Sequence, residues 1–251
     1  MTTARAHDGT RIAYQRRGSG RPLVLLAGQA NNHTWWDRVR DDFPGTITLD
    51  WRGTGDSDKP DMPYSTRGFA RDVIAVLDDL GIETADIYGT SMGGRVAQWV
   101  AADHPSRVRR LILGCTSPGG PHAVERSNEI RRALIGPGAN EVLEELMYTP
   151  EWRKENPGPY TVLGDPGLLP HARKHHLLAS NGHDAWDALP RITAPTLILH
   201  GTEDQMAPVA NASLLAQRIP HAEVHLFPGA RHAYFDECRP AASELVRDFL
   251  G

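Results

Sequence analysis

The run Ala85-Asp86-Ile87-Tyr88-Gly89-Thr90-Ser91-Met92-Gly93-Gly94 decides the fold. Residues 85–88 read as a short apolar strand and residues 93–104 as a helix, with the pattern G-x-S-x-G at the junction. A serine in so tight a strand-to-helix turn is forced into a strained backbone, and glycines two residues before and after it relieve the crowding. The turn lifts the hydroxyl clear of the sheet and sets it above the helix N-terminus. There the dipole and the free N–H groups favour an oxyanion. Alone the pattern is weak, since the same glycines would serve close strand–helix packing with Ser91 a mere helix cap. The flanking strand and helix favour the nucleophile. Ser117 occupies a similar strand end, but Pro118 removes a backbone donor where an oxyanion hole would need one.

Outward from this junction, short β-branched runs alternate with amphipathic stretches. Residues 11–16, 22–27, 46–50, 108–114, 196–200 and 223–227 read as further strands. Runs such as Leu23-Val24-Leu25-Leu26 are apolar on both sides of the pleat, as central parallel strands are. Residues 69–80, 211–219 and 240–250 read as helices. The first puts Phe69, Val73, Val76, Leu77 and Leu80 on one face, and Gly81 closes it. Strand–helix alternation of this kind predicts an α/β fold with a doubly wound, mostly parallel sheet. The alternation stops between residues 118 and 189, where helices are expected at 123–135, 140–148 and 169–180 between Pro/Gly-rich joints. This stretch reads as a helical insertion after the fifth or sixth strand.

The chain has 251 residues, 40% of them hydrophobic and 23% charged, so it can bury a core and is not wholly disordered. With 27 Lys and Arg against 31 Asp and Glu, and no basic run, nucleic acid and anionic membrane surfaces are disfavoured as partners. No apolar run is long enough to span a bilayer, and the polar N-terminus lacks the apolar stretch of a secretory signal. Two cysteines, Cys115 and Cys238, are too few for a disulfide framework and suit a reducing cytoplasm.

A serine hydroxyl needs an adjacent imidazole, and the imidazole a carboxylate that fixes its tautomer. Asp204 follows the strand at 196–200, and His232 follows the strand at 223–227 in the Gly-bearing loop Pro228-Gly229-Ala230-Arg231-His232. Both loops leave the same sheet edge as Ser91, the edge where open α/β sheets bind ligands. The order Ser…Asp…His is one in which this chemistry is known. Asp204 would otherwise be a turn aspartate, with Glu203 its competitor, and His232 a satisfied loop histidine.

Together with Leu25-Leu26-Ala27-Gly28-Gln29, the segment Asp50-Trp51-Arg52-Gly53-Thr54-Gly55-Asp56-Ser57 and Pro195-Thr196-Leu197-Ile198, these features resemble the α/β-hydrolase fold superfamily over nearly the whole chain. The likeness is to small bacterial serine esterases and lactonases with a short cap, of the 3-oxoadipate enol-lactonase and anthracycline methylesterase types. It implies a core of residues 1–117 and 190–251 and a helical cap, 118–189, after the sixth strand. It also implies Ser91 as nucleophile, His232 as general base and then acid, Asp204 as its orienter, and an oxyanion hole from the backbone N–H groups of Gln29 and Met92. Members often carry His-Gly where this chain has Ala27-Gly28. Serine at 91 argues against haloalkane dehalogenases and epoxide hydrolases, whose nucleophile is aspartate.

The expected activity is hydrolysis of a carboxylic ester or lactone of a small, fairly apolar molecule through an acyl-enzyme, with neither metal nor organic cofactor. The same three residues would also serve C–C bond hydrolysis or cofactor-free perhydrolysis, and a non-hydrolytic receptor is the remaining alternative. Arg52-Gly53-Thr54-Gly55 lacks the Lys and spacing of a phosphate loop. His171 and His175 share a helix face but lack a third metal ligand. Met147, Tyr148, Trp152, Tyr160 and Trp186 would line either a pocket or the cap's own core. His183-Asp184 would either reach the site or end a helix, and Trp35-Trp36 would anchor a helix on the sheet.

Overall fold

The computed structural model describes residues 1–251. In chain order the strands are β1 (Thr2–Arg5), β2 (Arg11–Gly18), β3 (Leu23–Leu26), β4 (Gly45–Leu49), β5 (Ala85–Thr90), β6 (Val108–Gly114), β7 (Thr196–Gly201) and β8 (Ala222–Phe227). They form one sheet in the order β1-β2-β4-β3-β5-β6-β7-β8. β1 pairs antiparallel with β2 and β2 with β4, and every other neighbour is parallel. Seven of these strands were legible in the sequence. β1 was missed, because Thr2-Thr3-Ala4-Arg5 buries one side chain and has no apolar run to announce it.

β3, β4 and β5 are buried along their whole length, which accounts for the unbroken apolar run of β3, while β4 buries Thr46 and Thr48 and β5 buries Asp86 and Thr90. β8 is different. It ends the sheet, and Glu223, Val224, His225 and Leu226 are all exposed. Helices α1 (Thr66–Asp79), α2 (Met92–Asp103), α7 (Ala210–Arg218), α8 (Tyr234–Glu237) and α9 (Ala241–Leu250) pack on the sheet, with α3 (Asn128–Ala133), α4 (Ala139–Met147), α5 (Pro150–Glu155) and α6 (Pro170–Asn181) between β6 and β7. Two apolar clusters, one on each face of the sheet, make the core. α1 shows how sequence becomes element here. The Ser65 hydroxyl accepts from Gly68 N–H at the start, Phe69, Val73, Val76 and Leu77 face inward, and Gly81 ends it at φ +64°.

The predicted helix at 123–135 is corrected. Only Asn128–Ala133 is α-helical, because Ser127 caps it there and the backbone of Val124 is drawn instead into two hydrogen bonds with the Asn211 side chain. α5 and α8 were not anticipated, being single turns too short to show a period. Trp35 and Trp36 sit in one 3-10 turn, His33–Trp36, buried against Phe235 and Tyr88. The two ends of the 118–189 stretch meet where Gly119 bridges Asp184 and Ala185 N–H donates to Pro118 C=O. No helix is long and apolar enough to cross a membrane.

The Arg52–Ser57 run is a structural turn. Asp50 accepts from the backbone N–H groups of His33 and Asp56, and a side chain at Gly55 would collide with its carboxylate. Arg52 grips Asp72 of α1 through two hydrogen bonds of 2.8 and 2.6 Å.

Candidate active site

The parallel register aligns the C-terminal strand ends. Leu26 lies beside Gly89, Thr90 beside Gly114, Gly114 beside Leu199, and Gly201 beside Phe227. The loops carrying Gln29, Ser91, Asp204 and His232 therefore leave one edge.

Ser91 has φ +54° and ψ −121°, a conformation that costs a non-glycine residue roughly 1–3 kcal/mol. Neighbours hold it there. Its N–H donates to Gly114 C=O at 2.9 Å, and its carbonyl accepts from the Thr116 hydroxyl at 2.7 Å. A Cβ at Gly89 would overlap the Gly93 carbonyl, and one at Gly93 would overlap the Leu26 carbonyl, so both glycines are steric requirements of the turn. The Ser91 hydroxyl makes no hydrogen bond with any protein group.

Asp204 and His232 are brought together, with Nδ1 of His232 2.8 Å from Oδ2 of Asp204. A carboxylate only accepts, so Nδ1 carries the proton and Nε2 presents its lone pair. Nε2 is buried and has no hydrogen-bond partner. Ser91 and His232 are thus not joined by a hydrogen bond here, although the Ser91 hydroxyl and His232 Nε2 are both free. Such contacts commonly tighten only once substrate is bound.

Asp204 is fully enclosed. Its Oδ1 accepts from the N–H groups of Met206 and Ala207 at 2.8 and 2.9 Å. Burial alone would raise its pKa, but His232 and His200 hold it well below the usual carboxylate range. His200 lies on β7, four residues before Asp204. Its Nε2 lies 2.6 Å from the Ala207 carbonyl and 3.2 Å from Asp204 Oδ2, so it donates its proton to this pair of acceptors. A histidine four residues before the aspartate, at the end of a strand, was the available signal.

The backbone N–H groups of Gln29 and Met92 donate to nothing in the protein. Gly28 has no room for a side chain, since a Cβ would strike the Trp35 ring, which itself donates Nε1–H to Thr90 at 3.0 Å. From α6, His176 accepts the N–H of Ala30 (3.4 Å) and donates to the Arg52 carbonyl (3.0 Å). Asn31 donates to the Gln29 carbonyl at 2.9 Å. The loop bearing Gln29 is therefore pinned from the inserted helices.

The remaining expectations separate cleanly. Tyr148 stacks on Trp152 at 4.2 Å and donates to Asp236, and Met147 is buried, so these side chains serve packing within the insertion and against α8. Beside them, Ala233 N–H donates to the Met147 carbonyl at 2.9 Å, which fastens the His232 loop to α4. His183 is buried between Thr66 and Gln98. His171 and His175 point to Lys59 and Asp61 and do not converge.

A doubly wound sheet with a strained serine at its C-terminal edge, and a His–Asp pair on neighbouring loops of that edge, defines an α/β-hydrolase architecture. The sequence matches the family described as alpha/beta hydrolase fold over residues 21–237, and the chain belongs to that family. It is 34% identical to a 2-hydroxymuconate semialdehyde hydrolase of Pseudomonas sp. (strain CF600), over 96% of this chain and 91% of the relative. Among solved structures it is similar to Est816, described as an N-acyl homoserine lactone degrading enzyme (32% identity, TM-score 0.84, 99% of this chain and 100% of the other). It is also similar to an esterase from Exiguobacterium antarcticum (26% identity, TM-score 0.86, 99% and 98%).

Proposed function

We propose that the protein is a serine hydrolase that cleaves a carboxylic ester or lactone through an acyl-enzyme. Ser91 attacks the carbonyl while His232 Nε2 takes its proton. Asp204 keeps Nδ1 protonated and stabilises the imidazolium. Backbone N–H groups of Gln29 and Met92 receive the oxyanion, each worth about 3 kcal/mol in sites of this kind. His232 then returns its proton to the leaving alkoxide, and activates the water that releases the acid. Residues 118–189 act as the cap over this site, and the free thiols Cys115 and Cys238 suit a reducing cytoplasm. The observation that carries the reading is the His232–Asp204 pair at 2.8 Å with Nε2 unengaged.

A second reading uses the same residues to hydrolyse a C–C bond beside a carbonyl. It is favoured by the relative at 34% identity, a 2-hydroxymuconate semialdehyde hydrolase. A panel decides between them: 4-nitrophenyl butyrate, an N-acyl homoserine lactone followed by proton release, and a vinylogous 1,5-diketone followed by absorbance. Turnover of the first two, absent in Ser91→Ala, supports the ester and lactone reading. Turnover of the diketone alone supports C–C cleavage. Turnover of all three at the wild-type rate in Ser91→Ala overturns both.

A further inference from the structure

Arg95 is the fourth residue after Ser91, in the first turn of α2, its backbone N–H donating to the Ser91 carbonyl at 3.2 Å. Its guanidinium reaches the cap hinge. Nη1 donates to the carbonyl and hydroxyl of Ser180, at 2.6 and 3.1 Å, and Nη2 to the Ser117 hydroxyl at 2.9 Å. No carboxylate is paired with it. Protein surrounds the group closely enough that burial lowers its pKa to about 10, yet the residue keeps some accessible surface.

Arg126, in the segment leading from β6 to α3, is a second guanidinium of the same kind. Its one hydrogen bond within the protein runs from Nη1 to the Met206 sulfur at 3.8 Å, on the loop whose backbone cradles Asp204. The nearest carboxylates are committed elsewhere. Glu125 is paired with Arg131 at 2.5 Å, and Asp204 is held by His200, His232 and two amides. After burial, repulsion from Arg126 lowers the pKa of Arg95 further, against the attraction of Glu125.

Uncompensated enclosed cations are costly, and structural arginines avoid the cost by filling their donors. Arg40 does so in this protein, giving Nε to Thr46, Nη1 to the Gln15 side chain and Nη2 to the Gln15 carbonyl. Arg95 and Arg126 are both without a hydrogen-bonded carboxylate, and most donors of Arg126 are without an acceptor in the protein. The geometry points to an anion subsite, formed by Arg95 and Arg126 beside Ser91, that binds a carboxylate carried by the substrate. This rests on the reading of Ser91 as nucleophile and narrows it: the scissile carbonyl belongs to a molecule with a free carboxylate a few bonds away, in place of the fairly apolar substrate expected from sequence. A planar carboxylate suits guanidinium donors, which bind it with two parallel hydrogen bonds.

Matched substrates test this. 4-Nitrophenyl hydrogen glutarate and adipate differ from 4-nitrophenyl pentanoate and hexanoate at little more than the terminal group, carboxylate or methyl. For at least one pair, the wild-type kcat/KM is expected to favour the acid by tenfold or more. In Arg126→Gln that ratio is expected to fall by about tenfold to a hundredfold. Arg126 makes one side-chain hydrogen bond, to Met206, and the melting temperature of this variant checks that it folds. Arg95→Met is expected to act in the same direction. A wild-type ratio at or below one for both pairs, or equal losses on acid and neutral esters, overturns the subsite. If no ester is cleaved at all, the hydrolase reading fails separately, and calorimetric binding of glutarate and adipate then decides. Binding that is lost in Arg126→Gln supports the subsite, and no binding to the wild type overturns it.

Discussion

Nδ1 of His232 faces Oδ2 of Asp204 at 2.8 Å, while the opposite nitrogen of the same ring is buried without a partner. One end of the imidazole is fixed and the other is left to act. The fixed end depends on more than Asp204, because that carboxylate is itself held by two backbone amides and by His200.

Asp204→Asn places an amide where the carboxylate accepted the Nδ1 proton. The favoured tautomer then moves its proton to Nε2, which no longer accepts from Ser91. Steady-state kinetics should show kcat reduced by about 10⁴, on the scale seen when a triad aspartate is replaced. A loss below tenfold would remove Asp204 from the proposed machinery.

His200→Leu removes the donor shared by Asp204 and the Ala207 carbonyl. Asp204 keeps its amides and His232, so kcat should fall only about tenfold, with KM within about twofold. The unpaired Ala207 carbonyl should lower unfolding free energy by about 1–3 kcal/mol in urea titrations. Unchanged kcat with the full stability loss would show His200 to be purely structural.

Gly28→Ala puts a methyl group against the Trp35 ring and must displace either the ring or the loop bearing Gln29. If the loop moves, one oxyanion donor is lost. The expectation is a kcat lower by about 10²–10³ with far-ultraviolet circular dichroism unchanged. Wild-type kcat would mean that Trp35 yields and the loop does not.

Stability should fall on mild acidification. Burial lowers the pKa of His176 from 6.5 to about 4, against the opposing hydrogen bond to the Arg52 carbonyl, and burial also pushes His183 well below its ordinary value. Between these values the unfolded chain binds protons that the native one refuses, so stability declines as pH falls through that window and is intact above it. For His176 the effect approaches about 3 kcal/mol. Urea midpoints at pH 7.5 and pH 5 should differ less in His176→Gln than in the wild type. Equal differences would place the acid sensitivity elsewhere.

The parts of this fold legible in the sequence are those whose side chains repeat with a period. β3 announces itself by an unbroken apolar run, β6 by Leu111-Ile112-Leu113, and α1 by Phe69, Val73, Val76 and Leu77. As candidates, Ser91 can be named from sequence because a strand, a glycine pair and a helix bracket it, and Asp204 and His232 because each follows a strand. β1, α5 and α8 were not, since four to six residues carry no measurable period. His200, His176, Arg95 and Arg126 escaped for another reason. Each acquires its meaning from a residue distant in the chain, as with His176 and Ala30, or from the absence of a partner, which no local pattern encodes.

The central claim is that Ser91 forms a covalent acyl intermediate. Incubation with a fluorophosphonate, followed by peptide mass spectrometry of the wild type and of His232→Ala, tests it most directly. The account predicts one adduct, on the Ser91 hydroxyl, formed at least a hundredfold more slowly without the imidazole. An adduct on another residue, or labelling of Ser91 at the same rate in both proteins, would contradict it.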